Sequence, residues 1–138
     1  MHSLFQRSSS ITGSVIGAAI SVHKHFGPGL LESIYVKTLA HELALSGHNV
    51  EQEKSIKINY KGFEFEERLR IDLLIDECLI IEAKVSDKAI RPEHRHQLLS
   101  YMSVLDVPLG LIFNFGETRF GERGIQRVIL KGADGVDI

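Results

Sequence analysis

The sequence contains a single cysteine, Cys78, among 138 residues. One thiol cannot form an internal disulfide, and it excludes a zinc site or an iron–sulfur cluster held by several cysteines. Scarcity of cysteine is typical of proteins in a reducing compartment, so we expect a cytoplasmic location. Cys78 has no obvious histidine partner, and a catalytic thiol is therefore not expected.

The sequence also lacks an excess of positive charge and a long apolar run. Its formal net charge is −2 with neutral histidines, so any binding of a polyanion must use a local basic patch or metal ions. No apolar run approaches the length of a membrane span. The apolar segment 11–20 is diluted by glycine, serine and threonine and no cleavage site follows it, so we expect a helix of the mature protein.

Length and composition favour one compact domain. Apolar residues make up 43% of the chain and charged residues 25%, a balance that provides a core without the bias typical of disorder. There are no repeats and no low-complexity segments. Residues 1–8 show no periodicity and predict a loose N-terminal arm, which leaves residues 9–138 as the single domain.

Apolar periodicity predicts a mixture of helices and strands. Helical spacing covers residues 9–26, 30–46 and 93–105, and a glycine or proline lies next to each segment. A period of two covers residues 55–60, 63–72 and 79–85, which we expect to form an antiparallel meander. Two further strands are expected over residues 109–115 and 125–130. The predicted fold class is α/β, with a mixed α+β sheet in which a three-strand meander is flanked by helices.

Three charged residues, Asp72, Glu82 and Lys84, interrupt the aliphatic runs of the second and third meander strands. If the apolar sides of both strands face one core, Asp72 lies opposite or nearly opposite Glu82. Because side chains alternate between the two sides of a strand, this arrangement requires a three-residue turn over residues 76–78 or a bulge. Two carboxylates at so short a distance repel each other unless a cation lies between them or one is protonated. A lysine on the same side could orient water or offset phosphate charge.

The same charges could instead form the water-exposed side of an antiparallel sheet. This interpretation fits the polar residues in the first part of the second strand: Glu64, Glu66, Arg68 and Arg70. It fits Asp72 and Glu82 less well, because almost unbroken aliphatic residues flank them, as in strands that are covered on both faces. From the residues alone, both interpretations stay open.

A basic cluster follows these strands and consists of Lys88, Arg91 and Arg95. It is either the solvated start of a helix or a contact for the phosphate backbone. We favour the second, because a protein of net negative charge needs such a patch to bind a polyanion. The histidines, including His94 and His96, are not spaced on common helical faces, so surface or capping roles are expected for them.

Five segments of the chain, spread in order over about residues 10–131, resemble the small bacterial GxxExxY family of the PD-(D/E)XK nuclease superfamily. They read GLLESIY from residue 29, RID from 70, IEAK from 81, HQLLSY from 96 and LIFNFG from 111. Asp72, nine intervening residues and then Glu82-Ala83-Lys84 resemble the D…(D/E)-x-K core of the superfamily. Ile71 stands where the superfamily name has proline, and Ala83 stands where relatives often have a larger aliphatic residue.

The resemblance implies a restriction-endonuclease-like core and a metal site. Asp72 and Glu82 would hold Mg²⁺, with Mn²⁺ as a substitute, together with the backbone carbonyl of Ala83. Glu32 would add a carboxylate, and Lys84 would position the attacking water and offset charge in the transition state. The resemblance also implies that three residues support the pocket: Tyr35, Gln97 and Tyr101.

The function implied by the resemblance is that of a Mg²⁺-dependent nuclease, which hydrolyses phosphodiester bonds in nucleic acid, with DNA favoured. The alternative is a non-catalytic nucleic-acid-binding or assembly module that keeps the fold. A purely structural protein with an exposed acidic sheet is a third hypothesis, and it predicts no affinity for divalent metals. A homodimer is expected, because twofold symmetry readily provides paired cuts and an extended groove.

Overall fold

The computed structural model describes residues 1–136. Two helices come first, α1 (Phe5–Phe26) and α2 (Glu32–Leu45). Five strands follow: β1 (Val50–Glu51), β2 (Lys54–Tyr60), β3 (Phe63–Leu69), β4 (Leu73–Ile75) and β5 (Leu79–Lys84). The remaining elements are α3 (Pro92–Leu105), β6 (Leu109–Asn114), the single turn α4 (Gly121–Gly124) and β7 (Ile125–Ile129).

Five of the strands form one mixed sheet in the order β1-β4-β5-β6-β7. The central pair, β5 and β6, is parallel, and the other neighbouring strands are antiparallel. The crossover between the parallel strands contains α3, as a parallel pair requires. The mixed α+β sheet flanked by helices confirms the predicted fold class.

Apolar side chains cover both faces of this sheet and form two cores. Helices α1 and α2 cover one face, where the largest buried side chains are Tyr35, Leu39, Leu43, Phe113 and Phe115. Helix α3 covers the other face, where the buried residues include Leu74, Ile80, Leu98, Met102 and Ile112. Burial on both sides explains why β4, β5 and β6 are almost wholly aliphatic.

The predicted strand over residues 63–72 is broken, which corrects the expected meander. Residues 70–72 leave the strand conformation, so β3 ends at Leu69 and β4 begins at Leu73. Strand β3 pairs only with β2 in a separate two-stranded sheet, whereas β4 joins the main sheet between β1 and β5. The antiparallel run beside the site is therefore β1-β4-β5. Most of the charged residues before the break are exposed, as their placement outside the buried sheet allows.

The N-terminal segment is not a loose arm over all of residues 1–8, because α1 begins at Phe5. Ser8 is buried, and the single proton of its hydroxyl is shared between the carbonyl oxygens of Leu4 at 2.9 Å and Cys78 at 2.5 Å. The backbone N–H of His2 donates to the carbonyl of Ala133 at 2.9 Å. Polar residues in this turn interrupt the apolar periodicity, so the sequence pattern did not predict a helix there. Although α1 has 22 residues, no helix within residues 1–136 is both long and apolar enough to cross a lipid bilayer.

The turn between β4 and β5 has the length that parity predicts. Ile75 pairs with Leu79 and Leu73 with Ile81, so three residues, 76–78, form the turn. Asp76 and Glu77 have positive φ angles of 50° and 59°. The Asp76 carboxylate accepts hydrogen bonds from the His48 ring at 2.7 Å and from the backbone N–H of Asn49 at 2.8 Å, which joins the turn to the chain before β1.

Candidate functional site

Asp72 lies at the break between β3 and β4, directly beside β5. Its Oδ2 atom accepts a hydrogen bond from the backbone N–H of Ala83 at 2.7 Å. The pairing of Leu73 with Ile81 continues by one residue to place Asp72 opposite Glu82. The sheet therefore holds the Asp72 carboxylate next to the Glu82-Ala83 peptide, as the strand parity predicts.

Glu82 is the most deeply buried charged residue of the site, with 7% of its surface exposed. Its Oε1 atom is buried and has no hydrogen-bond partner among the described residues. Burial, with the neighbouring charge of Asp72 as the second cause, raises the pKa of Glu82 to about 8, although Lys84 opposes the shift. A cation beside the two acids would favour the ionised form of Glu82.

Lys84 ends β5 and lies on the same side of the strand as Glu82. Its side chain is half-buried, and its positive charge acts on the ionisation of three other groups: Glu32, Glu82 and His94. One ammonium group thus lies within electrostatic reach of two acids and a histidine that come from three different elements. This convergence is the central feature of the site.

Glu32 is the first residue of α2 and faces Asp72 across an open cleft of about 350 Å³. Burial raises the pKa of the Glu32 carboxyl, Lys84 opposes that shift, and the charge of Asp72 adds to it. The cleft is also lined by Gln52, which lies in the chain before β2. Tertiary packing therefore brings Glu32 to the strand acids from about 40 residues away in sequence.

Tyr35 lies in the core rather than in this cleft. Its ring is fully buried and stacks on Phe115 with 4.4 Å between ring centroids. Its hydroxyl donates to the carbonyl of Gly27 at 2.5 Å and accepts from the backbone N–H of Leu30 at 3.1 Å. Tyr35 therefore fixes the connection between α1 and α2, and Glu32 follows directly from that connection.

The other two predicted pocket residues lie on α3. Tyr101 is half-buried and packs against the core on the α3 face, the face that includes Leu74 and Ile80. Gln97 is exposed. Within residues 1–136, neither side chain forms a hydrogen bond to the acids or to Lys84. Both residues therefore lie on the helix that covers one face of the sheet, without a hydrogen bond to the site.

The predicted basic cluster lies around the start of α3. Lys88 and Arg91 are exposed, and Arg91 immediately precedes the first helical residue. Arg95 is half-buried, and its guanidinium donates to the carbonyl of Arg127 on β7 at 3.4 Å. Two of the three side chains are therefore accessible to solvent, whereas Arg95 also contacts the protein itself.

His94 is a site residue that the sequence interpretation missed. It lies in the first turn of α3, and its Nδ1 atom is buried without a hydrogen-bond partner among the described residues. Burial and the charge of Lys84 lower the pKa of His94, and Glu93 acts in the opposite direction. A signal was available, because His94 precedes Gln97 by three residues and Tyr101 by seven, which places all three on one helical face.

Asn114 is a second residue whose role was missed. It is fully buried at the end of β6, and its side-chain amide forms four hydrogen bonds. Its Oδ1 accepts from the backbone N–H groups of Ser86 and Gly116, both at 3.0 Å. Its Nδ2 donates to the carbonyls of Ser86 at 3.1 Å and Lys88 at 3.0 Å. Asn114 thus fixes the segment that follows Lys84.

The donor chemistry of the site fits a hard divalent cation. Carboxylates and carbonyls are the ligands that Mg²⁺ prefers, and the unpartnered Oε1 of Glu82 offers a buried oxygen. The site offers a few oxygen ligands to such a cation and does not surround it. In the part of the chain that the structure describes, no three His, Cys, Asp or Glu side chains are gathered closely enough to enclose a metal ion.

A family model and a solved structure match this chain. No curated protein matches the chain. The crystal structure of SSO0001 is similar in fold, with a TM-score of 0.50 and 22% sequence identity. The similarity covers 90% of this chain and 62% of SSO0001, so the chain spans about three-fifths of that protein. The model of the PD-(D/E)XK nuclease superfamily matches residues 9–128, almost the whole sequence. The chain therefore belongs to the PD-(D/E)XK nuclease superfamily.

Proposed function

We propose that this protein is a metal-dependent nuclease that hydrolyses phosphodiester bonds in nucleic acid, with DNA as the favoured substrate. The observation that carries the proposal is the electrostatic coupling of Glu32 and Glu82 to both Asp72 and Lys84, with an unpartnered buried oxygen on Glu82 among the described residues. Membership of a nuclease superfamily supports the same conclusion.

Asp72 and Glu82 would hold Mg²⁺, or Mn²⁺ in its place, with the carbonyl of Ala83 as a third ligand and Glu32 as a carboxylate from across the cleft. When bound, the ion supplies Lewis-acid activation of the phosphate and lowers the pKa of a coordinated water. The hydrogen bond from Ala83 N–H to Asp72 keeps one carboxylate oriented before the ion arrives.

Lys84 would act on the reacting phosphate itself. Its ammonium group donates hydrogen bonds and carries a fixed positive charge, so it orients the attacking water and stabilises the negative charge that develops on the phosphate oxygens. The site excludes part of the solvent around Glu82 and Lys84, which strengthens this electrostatic interaction.

Lys88 and Arg91 would bind the substrate backbone. Both are exposed at the start of α3, where the partial positive charge of a helix N-terminus also favours phosphate. Contacts of this kind fix the register of a nucleic acid without reading its sequence. The salt dependence of binding should therefore weaken when either residue is replaced by alanine.

Cleavage of a labelled panel tests the proposal. The panel contains single-stranded, duplex and branched DNA and RNA, each with Mg²⁺, Mn²⁺ or EDTA. We expect metal-dependent cutting that Lys84→Ala lowers on the order of 100-fold or more, because it removes a charge that acts in the transition state. Lys24→Ala, at an exposed lysine in the last turn of α1, is the matched control.

Failure of the wild-type protein to cut any substrate, together with intact binding of nucleic acid, would reject the nuclease. It would instead support the non-catalytic module.

A further inference from the structure

Strands β2 and β3 form a hairpin that stands apart from the main sheet. They pair along their whole length, from Lys54 with Leu69 to Tyr60 with Phe63, and neither strand joins the five-stranded sheet. The hairpin packs chiefly on itself. We refer to residues 54–69 as the hairpin arm. An isolated two-stranded hairpin is at best marginally stable in water, so the arm needs a source of stability outside its own ladder.

One face of the hairpin arm is apolar, and it is exposed to solvent at the tip. Alternation along the paired strands puts five apolar side chains on this face: Ile56, Ile58, Tyr60, Phe63 and Phe65. Tyr60 is 63% exposed and Phe63 is 64% exposed, whereas Ile56, Ile58 and Phe65 are half-buried. Neither of the two cores includes any of the five. Exposed apolar patches of this kind mark interaction sites.

The opposite face of the hairpin arm carries polar side chains that pair across the strands. Lys57 lies opposite Glu66, and the side-chain amide of Asn59 donates to the Glu64 carboxylate at 3.2 Å. These pairs balance charge across the strands and leave a face suited to water. A partner therefore belongs on the apolar face.

Charge argues against nucleic acid as that partner. The arm carries four basic residues, Lys54, Lys57, Lys61 and Arg68, and three acidic residues, Glu64, Glu66 and Glu67. The arm is almost neutral, and its acids lie beside its aromatic residues. A surface that binds a polyanion through aromatic stacking also requires a positive groove for the phosphates, which the arm does not provide.

We propose that the apolar face of the hairpin arm docks on the same face of a second copy of this chain, with the two arms antiparallel. At the base the face carries Lys54 and Glu67, and the Glu51 carboxylate lies 3.1 Å from the Lys54 ammonium and balances its charge. Glu67 is therefore the unbalanced charge at the base, whereas Lys61 follows the face at the tip, so the two ends are complementary. The Nζ atom of Lys61 lies 5.4 Å from the centre of the Tyr60 ring, so it leans over this face. A twofold axis brings each Lys61 to the partner subunit's Glu67, as an isologous interface requires.

Sedimentation equilibrium of the full chain tests the proposal independently of nuclease activity. The wild-type protein is expected to show twice the chain mass with a concentration-dependent equilibrium, and Phe63→Asp is expected to show the mass of the monomer. Lys57→Glu, which reverses a charge on the opposite face, is the matched control and should leave the dimer intact. Thermal unfolding of each variant confirms folding, because the arm contributes little to either core.

A charge exchange tests the antiparallel arrangement. Lys61→Glu and Glu67→Lys should each weaken the dimer, since each creates a repulsive pair, and the double variant should restore it. A monomeric wild-type protein at every concentration would overturn the proposal, as would a double variant no better than the single ones. A monomer whose affinity for DNA falls in Phe63→Asp would also overturn it and assign the arm to nucleic acid.

Discussion

The imidazole of His94 has no hydrogen-bond partner within residues 1–136 for its buried Nδ1 atom, and it lies within the electrostatic reach of Lys84. A buried ring nitrogen without a hydrogen bond lowers the stability of the protein unless another group provides one. In the proposed nuclease, a bound water molecule or a substrate oxygen would form this hydrogen bond. Because burial and Lys84 lower its pKa, the ring is neutral at neutral pH and provides both a donor and an acceptor.

We predict that His94→Ala lowers the cleavage rate by about 10- to 100-fold while the affinity for nucleic acid changes little. The loss arises because a polar group beside Lys84 disappears, and Lys84 is expected to act on the reacting phosphate. Single-turnover kinetics separates this effect from binding.

His96→Ala is the control for that experiment, since His96 is exposed and lies two residues further along the same helix. Equal rates for the two variants would remove His94 from the site.

At the level of single residues, strand parity predicted the most local part of the site. The opposition of Asp72 and Glu82 and the three-residue turn follow from a period of two, which depends only on neighbouring residues. No local pattern predicts that Glu32 lies close to Asp72, and only the family resemblance assigned Glu32 to the site. His94 and Asn114 were missed because their roles depend on which backbone atoms and charges meet them in the folded chain.

At the scale of elements, Asn114 connects the end of β6 to the segment that leaves β5. Its four hydrogen bonds pair backbone groups of Ser86, Lys88 and Gly116. An added Cβ at Gly116 would lie 2.3 Å from the carbonyl oxygen of Ser86, so the two segments are too close for a larger residue there. This connection determines the path of the chain between Lys84 and α3.

We predict that Asn114→Ala lowers the free energy of unfolding by about 2–4 kcal/mol, because buried backbone groups lose their partners. Urea unfolding measures the change. Asn59→Ala provides the comparison, since Asn59 is exposed on the hairpin arm, and its effect should be below about 1 kcal/mol. Similar losses for the two variants would contradict the role assigned to Asn114.

The break in the predicted strand over residues 63–72 shows why some elements were not predictable. Alternation of side chains is compatible with one strand across this region, and nothing local distinguishes Arg70 from its neighbours. The break depends on β1, a two-residue strand about 20 residues earlier, which takes the position beside β4. Pairing between distant segments therefore overrode a local pattern.

At the scale of the whole molecule, stability and the proposed metal site are linked through Glu82. Its pKa of about 8 in the folded chain exceeds its ordinary value of 4.5, so between these values the folded chain binds more protons than the unfolded chain. The free energy of unfolding should therefore fall as pH rises through this window, by on the order of 1 kcal/mol per pH unit at most.

We predict that Glu82→Gln flattens this pH dependence in EDTA, because glutamine is neutral in both states. Mg²⁺ should stabilise the wild-type protein most at the upper end of the window, where Glu82 is ionised, and should have little effect on the variant. Urea unfolding across the window, with and without the ion, measures both effects. Parallel profiles for the two proteins would contradict the assignment.

The break at residues 70–72 also has a mechanical consequence. The chain leaves one sheet at Leu69 and enters the other at Leu73, so Asp72 lies at the joint between the hairpin arm and the main sheet. The arm has two connections to the main sheet, residues 52–53 between β1 and β2 and residues 70–72 between β3 and β4, and the second connection contains Asp72. Ile71 is buried in the core on the α3 face, which anchors the joint. One of the two connections of the arm therefore adjoins a candidate metal ligand, and a displacement of the arm at this connection would change the orientation of the Asp72 carboxylate.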